Sequence, residues 1–248
     1  MSNSFKTFLK HTAKDFHNQS VNPPIVRAST IIFKSMQDIR KTQDKAKKNP
    51  IGGHFDYGRQ GTSTTHILQQ ILSKLEESYF TFLTPTGFGA VFLAIFSVTR
   101  PGDEIIVADP VYSPTRLLSQ DFLKEFNIKT TFYDPHDLKT LEKAITNKTK
   151  LIFVENPGSN TFDFQDLGKI ISIAKKHKIL TAIDNTWGTP YFLKPIKLGF
   201  DMSIVSATKY YSGHSDVMGG SLAVNKKVFV KVKAAERVTG LRLGPDDA

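Results

Sequence analysis

The 248-residue chain contains no cysteine. That excludes disulfide cross-links and thiolate catalysis, and it fits a reducing compartment, so a cytoplasmic location is expected. No zinc-ligand spacing is present, and no metal site is expected. No apolar run approaches the ~20 residues that a membrane-spanning helix needs. The first residues, Met1 to Ser20, are polar and lack the apolar core of a secretory signal. Neither export nor a membrane partner is expected. Acidic residues are outnumbered: 23 Asp and Glu stand against 33 Lys and Arg, for a net charge of +10. Such an excess would suit nucleic-acid binding. Yet the lysines are scattered among acidic residues, and the densest run, Lys45 to Lys48, has no aromatic residues interleaved. A generic basic surface with no nucleic-acid partner is the expectation.

What is present is ordered along the chain. The length suffices for one large domain or two small ones. Residues 1–60 show weak periodicity and carry Pro23-Pro24 and Gly52-Gly53, which reads as an N-terminal arm with loops. From Thr62 the pattern changes. Ile67, Leu68, Ile71, Leu72 and Leu75 fall on one helical face, preceded by threonines able to cap it. Strand and helix signals then alternate. Strands are expected over 79–83, 104–108, 129–133, 151–155, 179–183, 202–205 and 221–224. Helices are expected over 87–98, 114–126, 137–145, 166–177 and 226–238. Apolar strands alternating with helices predict an α/β domain over 61–240, a mostly parallel seven-stranded sheet with helices on both faces. Ligands of such sheets bind beyond the strand C-termini. Thr86-Gly87, Tyr112, Asp184 and Lys209 all fall there.

Two strand ends carry the chemistry. The strand Met202-Ser203-Ile204-Val205 leads into Ser206-Ala207-Thr208-Lys209-Tyr210. Small hydroxylic residues can hold a phosphate, and a desolvated lysine can attack a carbonyl, which suits a Schiff-base site. Asp184 ends another apolar strand. A carboxylate facing a pyridinium nitrogen is the second half of a pyridoxal-phosphate (PLP) site. A lone strand-end lysine is more often a solvated surface residue, and a lone aspartate a cap or ion-pair member, so the weight rests on the pair. Thr84-Pro85-Thr86-Gly87-Phe88-Gly89 joins a strand to a helix. It reads as a phosphate-binding helix start or as a tight turn without ligand. Tyr112 lies in a proline-bracketed loop, where it could stack on an aromatic cofactor or pack on the surface. Arg59, in Tyr57-Gly58-Arg59, could clamp a phosphate or be a surface arginine. Spacing does not say whether this arm reaches the site of its own subunit.

As a set, Tyr57-Gly58-Arg59-Gln60-Gly61-Thr62, Glu155-Asn156-Pro157-Gly158-Ser159, Asp184-Asn185-Thr186 and Ser206-Ala207-Thr208-Lys209-Tyr210 resembles the Cys/Met-metabolism family of PLP enzymes. Within it, the chain is most similar to the cystathionine β-lyases. Pro157-Gly158-Ser159 stands where γ-acting relatives typically carry Pro-Thr/Ala-Asn-Pro, Trp187 stands where many have Phe or Tyr, and Tyr133-Asp134-Pro135 also looks lyase-like. The resemblance implies the large domain of the type I, aspartate-aminotransferase-like fold. It implies that Lys209 binds PLP covalently and moves the Cα proton, while Asp184 keeps the ring nitrogen protonated. Gly87, Phe88, Ser206 and Thr208 would hold the phosphate. Phe88 departs from the Met often found there, but its backbone donor survives. Tyr112 would stack on the ring and assist proton transfer. Tyr57 and Arg59 would reach the phosphate of the neighbouring subunit, in a homodimer or homotetramer. Ser159 and Tyr57 would touch the substrate.

The reaction so implied is α,β-elimination of L-cystathionine, an amino-acid thioether, in methionine biosynthesis; a γ-acting relative is the alternative. The last residues, Gly244-Pro245-Asp246-Asp247-Ala248, read as a helix-start signal. By resemblance, 241–248 begins a connection to a missing C-terminal domain carrying the arginine that grips the substrate carboxylate. Two further readings therefore stand beside the lyase: a non-catalytic truncated remnant and, distantly, a nucleic-acid-binding module. Alone, the chain is expected to bind PLP with little lyase activity.

Overall fold

The structure, a computed structural model, describes residues 22–248. Seven strands form one sheet: β1 (Phe80–Thr84), β2 (Glu104–Ala108), β3 (Lys129–Tyr133), β4 (Thr149–Glu155), β5 (Leu180–Asp184), β6 (Met202–Val205) and β7 (Gly220–Val224). Their spatial order is β1-β7-β6-β5-β4-β2-β3. Strands β2 to β6 pair in parallel, and β7 runs antiparallel to both β6 and β1. In β4, the successive residues Leu151, Ile152, Phe153 and Val154 are all 0% exposed. Successive strand side chains point to opposite faces, so layers cover the sheet on both sides.

Ten α-helices are present among the described residues: α1 (Met36–Lys48), α2 (Ser63–Leu75), α3 (Gly87–Val98), α4 (Ser113–Leu117), α5 (Leu123–Glu125), α6 (Leu138–Ala144), α7 (Leu167–His177), α8 (Thr189–Phe192), α9 (Pro195–Leu198) and α10 (Lys226–Thr239). Helix α3 packs on α10 and against β1, β6 and β7, while α7 packs on β5. At the start of α2, the Thr62 N–H donates to Thr65 Oγ1 at 3.0 Å, so the threonines do cap the helix. Among the described residues, no helix is long and apolar enough to cross a membrane.

Three local expectations are corrected. Within the stretch read as arm and loops lies the 13-residue helix α1, which buries none of its residues. Only Met36, Ile39 and Ala46 of its residues are apolar, too few to show a periodic face, and that hid it. The helix expected over 114–126 is interrupted: a π-helical turn, Leu118–Phe122, separates α4 from α5. Phe122 of that turn meets the rings of Phe92 and Phe126. Helices α8 and α9, four residues each, lie where no element was expected. One turn is too short to show a period.

Phe82 on β1 is 1% exposed, edge-on to Phe80 and stacked at 5.8 Å on Phe229 of α10. Phe82→Ala is expected to destabilise the domain by about 3–5 kcal/mol, through lost burial plus an unfilled cavity. Urea unfolding checks this. A loss under about 1 kcal/mol would mean that α10 collapses into the space.

Candidate active site

The site lies beyond the C-terminal ends of β4, β5 and β6, around a cavity of about 830 Å³ lined by Lys209, Thr208, Thr186, Trp187, Ser159 and Glu155. Lys209 sits on a tight turn after β6. Its N–H donates to Ser206 O (3.1 Å), and its carbonyl accepts from the Gly213 N–H (2.8 Å). Thr208 ties this turn to the start of β7. Its hydroxyl accepts from the Gly219 N–H at 3.0 Å and donates to Gly219 O at 3.2 Å. The hydroxyl expected on a phosphate is therefore committed to backbone. The Lys209 side chain is exposed, because the turn carries it past the strand into the cavity mouth. The desolvation expected from its apolar strand is not present in this chain.

Asp184 ends β5, and its Oδ1 accepts the Thr186 N–H at 3.0 Å. Burial pushes the carboxyl above the usual carboxylate range. Among the described residues, no cation forms an ion pair with it. Its register partner on β4 is Glu155. Neighbours in a parallel pair project to the same face, so two carboxyls share one low-dielectric pocket. Burial and the Asp184 charge push Glu155 up as well. Glu155 Oε2 accepts the Tyr112 N–H at 2.6 Å, and the Ser159 side chain lies beside the Glu155 carboxyl. Glu155 thus fixes the backbone of Tyr112, whose ring is 48% exposed. The sequence reading assigned Glu155 no role. Its signals in the sequence are that it ends an apolar strand, as Asp184 does, and that it opens the Glu155-Asn156-Pro157-Gly158-Ser159 motif.

Gly87, Phe88 and Ser206 meet at the start of α3. Thr86 caps the helix by accepting the Gly89 N–H at 2.9 Å. The Gly87 and Phe88 amides, in the first turn, have no helical acceptor and are open to an anion. A Cβ on Gly87 would lie 2.6 Å from both Cβ and Oγ of Ser206. Only glycine lets the helix start approach the end of β6 so closely. This donor set fits PLP: an anion cradle, a buried carboxyl without a cation, and a lysine in the cavity. Gly87→Ala would force Ser206 aside and is expected to weaken PLP binding at least about tenfold, on the scale of one lost charge-assisted hydrogen bond. Fluorescence titration with PLP measures it, and unchanged affinity would remove Ser206 from the cradle.

The structure does not bring Tyr57 and Arg59 to Lys209 within this chain. Tyr57 bridges to Thr30, and Arg59 Nη1 donates to Arg237 O at 2.9 Å. Arg59 lines a different cavity, with Glu236 and Arg242. Glu236 is 1% exposed and pairs with Arg242 at 2.6 Å, while Arg242 also donates to Gln60 O. The arm is therefore braced by residues at and beyond the end of α10.

Residues 6–248 match the family described as Cys/Met metabolism PLP-dependent enzyme. A cystathionine beta-lyase of Bordetella avium is 34% identical over 231 residues, 92% of this chain and 57% of its own. The structure of a cystathionine gamma-lyase from Lactobacillus plantarum, complexed with L-serine, superposes with a TM-score of 0.87 at 29% identity, covering 100% of this chain and 61% of that one. A Campylobacter jejuni structure containing N'-pyridoxyl-lysine-5'-monophosphate matches with a TM-score of 0.86 at 28% identity, over 98% of this chain and 67% of its own. The chain spans about 60% of the length of the curated relatives it matches. With this match along its length, the chain belongs to the Cys/Met-metabolism family of PLP-dependent enzymes.

Proposed function

We propose that the chain carries the PLP-binding domain, residues 61–240, of a carbon–sulfur lyase acting on L-cystathionine in the cytoplasm. The observation that supports this most is the convergence of Lys209, the Asp184–Glu155 pair and the start of α3 on the C-terminal edge of one sheet. Pro157-Gly158-Ser159, with Ser159 on the cavity wall, favours β- over γ-elimination. When bound, PLP supplies an electron sink for the pair released at the substrate Cα.

The chain's own residues do the rest. The Lys209 amine holds the cofactor and then takes the Cα proton. The Asp184 carboxylate keeps a proton on the ring nitrogen; sharing a pocket with Glu155, it does so as one anion of the pair. Glu155, through the Tyr112 N–H, keeps the Tyr112 ring where it can cover the cofactor. The amides of Gly87 and Phe88 and the Ser206 hydroxyl hold the phosphate, with Thr208 fixing the turn beside them. Cleavage of the Cβ–S bond sends the electron pair to sulfur. With water consumed, the products are homocysteine, pyruvate and ammonia. Tyr57 and Arg59 act on the phosphate of a neighbouring subunit, in a homodimer or homotetramer.

The test is product identity with PLP and L-cystathionine. Pyruvate is expected as the keto-acid product, at the low rate expected of the chain alone. Release of 2-oxobutyrate would favour the γ-acting reading, which the likeness to the L. plantarum gamma-lyase keeps open.

A further inference from the structure

Glu76 caps the C-terminal end of α2 and is 0% exposed. A carboxyl so placed needs partners. Its Oε1 lies 3.5 Å from the Tyr211 hydroxyl. The Ser203 hydroxyl of β6 faces the same carboxyl, but neither Glu76 Oε2 nor Ser203 Oγ completes a hydrogen bond of good geometry. Lys194 is also near, with its ammonium donating to Leu75 O (3.2 Å) and Glu77 Oε1 (2.6 Å). Burial pushes Glu76 up to about 8, so the carboxyl is protonated at neutral pH.

The partner of this group is two residues from Lys209. The Tyr211 ring packs on a small apolar cluster formed by Leu72 and Leu75 of α2, Leu83 of β1, and Leu243. The Ser221 side chain of β7 lies beside its hydroxyl. Neighbouring residues of the turn diverge: Lys209 and Tyr210 line the cavity, while Tyr211 points into the protein. The near end of the turn is fixed by β6 and by Thr208 on Gly219. Bonds within the turn, from the Gly213 N–H to Lys209 O and the Ser212 N–H to Ala207 O, shape its far end, and Tyr211 ties that end to α2 and β1.

We propose that Tyr211, seated on Glu76 through its hydroxyl and on the leucine cluster through its ring, is a positioning residue that sets the placement of Lys209. This rests on the reading that Lys209 carries PLP. Displacement of a reacting group by even an ångström is costly, so a dedicated anchor is worth a buried polar contact.

The test uses the full chain with Tyr211→Phe, Glu76→Gln and, as a stability control in the main core against β3, Leu141→Ala of α6. Amide hydrogen exchange of residues 206–213 is followed in the cofactor-free protein, and PLP affinity by fluorescence. Tyr211→Phe is expected to speed exchange in 206–213 about tenfold, leave the central strands unchanged and weaken PLP about tenfold, the scale of one hydrogen bond. Glu76→Gln, neutral like the protonated acid, should keep both within about twofold. Leu141→Ala should lower the thermal midpoint without changing PLP affinity. The proposal is overturned by unchanged exchange in 206–213 for Tyr211→Phe. It is equally overturned if Leu141→Ala and Tyr211→Phe lose affinity in proportion to lost stability. Should the parent chain take up no PLP at Lys209, the reading of the site fails, and the exchange data still decide the anchor.

Discussion

Lys209→Ala is expected to remove covalent PLP labelling altogether. In the parent chain, borohydride reduction after PLP addition, followed by peptide mapping, should mark Lys209 and no other lysine. The basis is position. Lysines are abundant, but Lys209 lines the cavity beyond β4, β5 and β6 beside Thr186 and Ser159. It is also held by a turn bonded at both ends, to Ser206 O and from Gly213 N. On the proposed reading the same residue also moves the Cα proton, so its loss should slow elimination by a further ~10²–10⁴-fold, the range for a positioned acid–base group. Residual labelling at another lysine in the variant, at parent yield, would place the cofactor elsewhere.

Asp184→Asn should leave Lys209 labelling intact while disabling the electron sink. An amide cannot balance a protonated ring nitrogen. The loss should approach that of a preorganised electrostatic contact, ~2.7–4 kcal/mol in the barrier or ~10²–10³ in rate. A readout independent of turnover is the pH titration of the bound cofactor's visible spectrum, in which the ring nitrogen should lose its proton at lower pH. The substitution also removes one cause of the raised Glu155 titration, which should then move down toward ordinary carboxylates. A variant with parent-like turnover and spectrum would strip Asp184 of this role.

Much of this protein is local in origin. The seven strands run where short apolar segments bounded by turns predicted them, because burial on both faces writes itself into consecutive residues such as Ile105, Ile106, Val107 and Ala108. The place of the candidate site was legible as well. Ligands of parallel sheets gather at strand C-termini, and the sequence alone shows which chemical groups stand there: Gly87, Tyr112, Asp184 and Lys209. Helix α2 and its threonine cap were equally legible.

Tertiary structure decided what depends on partners distant in sequence. Strand order did not follow from the sequence pattern: β7, late in the chain, inserts between β1 and β6 and runs against both. Glu155 gained its place beside Asp184 only through β4–β5 register, and its hold on Tyr112 only through a contact 43 residues away. Arg59 is braced by Arg237, 178 positions on, rather than placed at Lys209. Tyr211 and Glu76 are 135 residues apart, and each alone reads as an ordinary surface-prone residue. Hydrophobic periodicity records which way a side chain faces. It carries no information about which other segment it will face, since that is settled by the packing of the whole sheet and its covering helices.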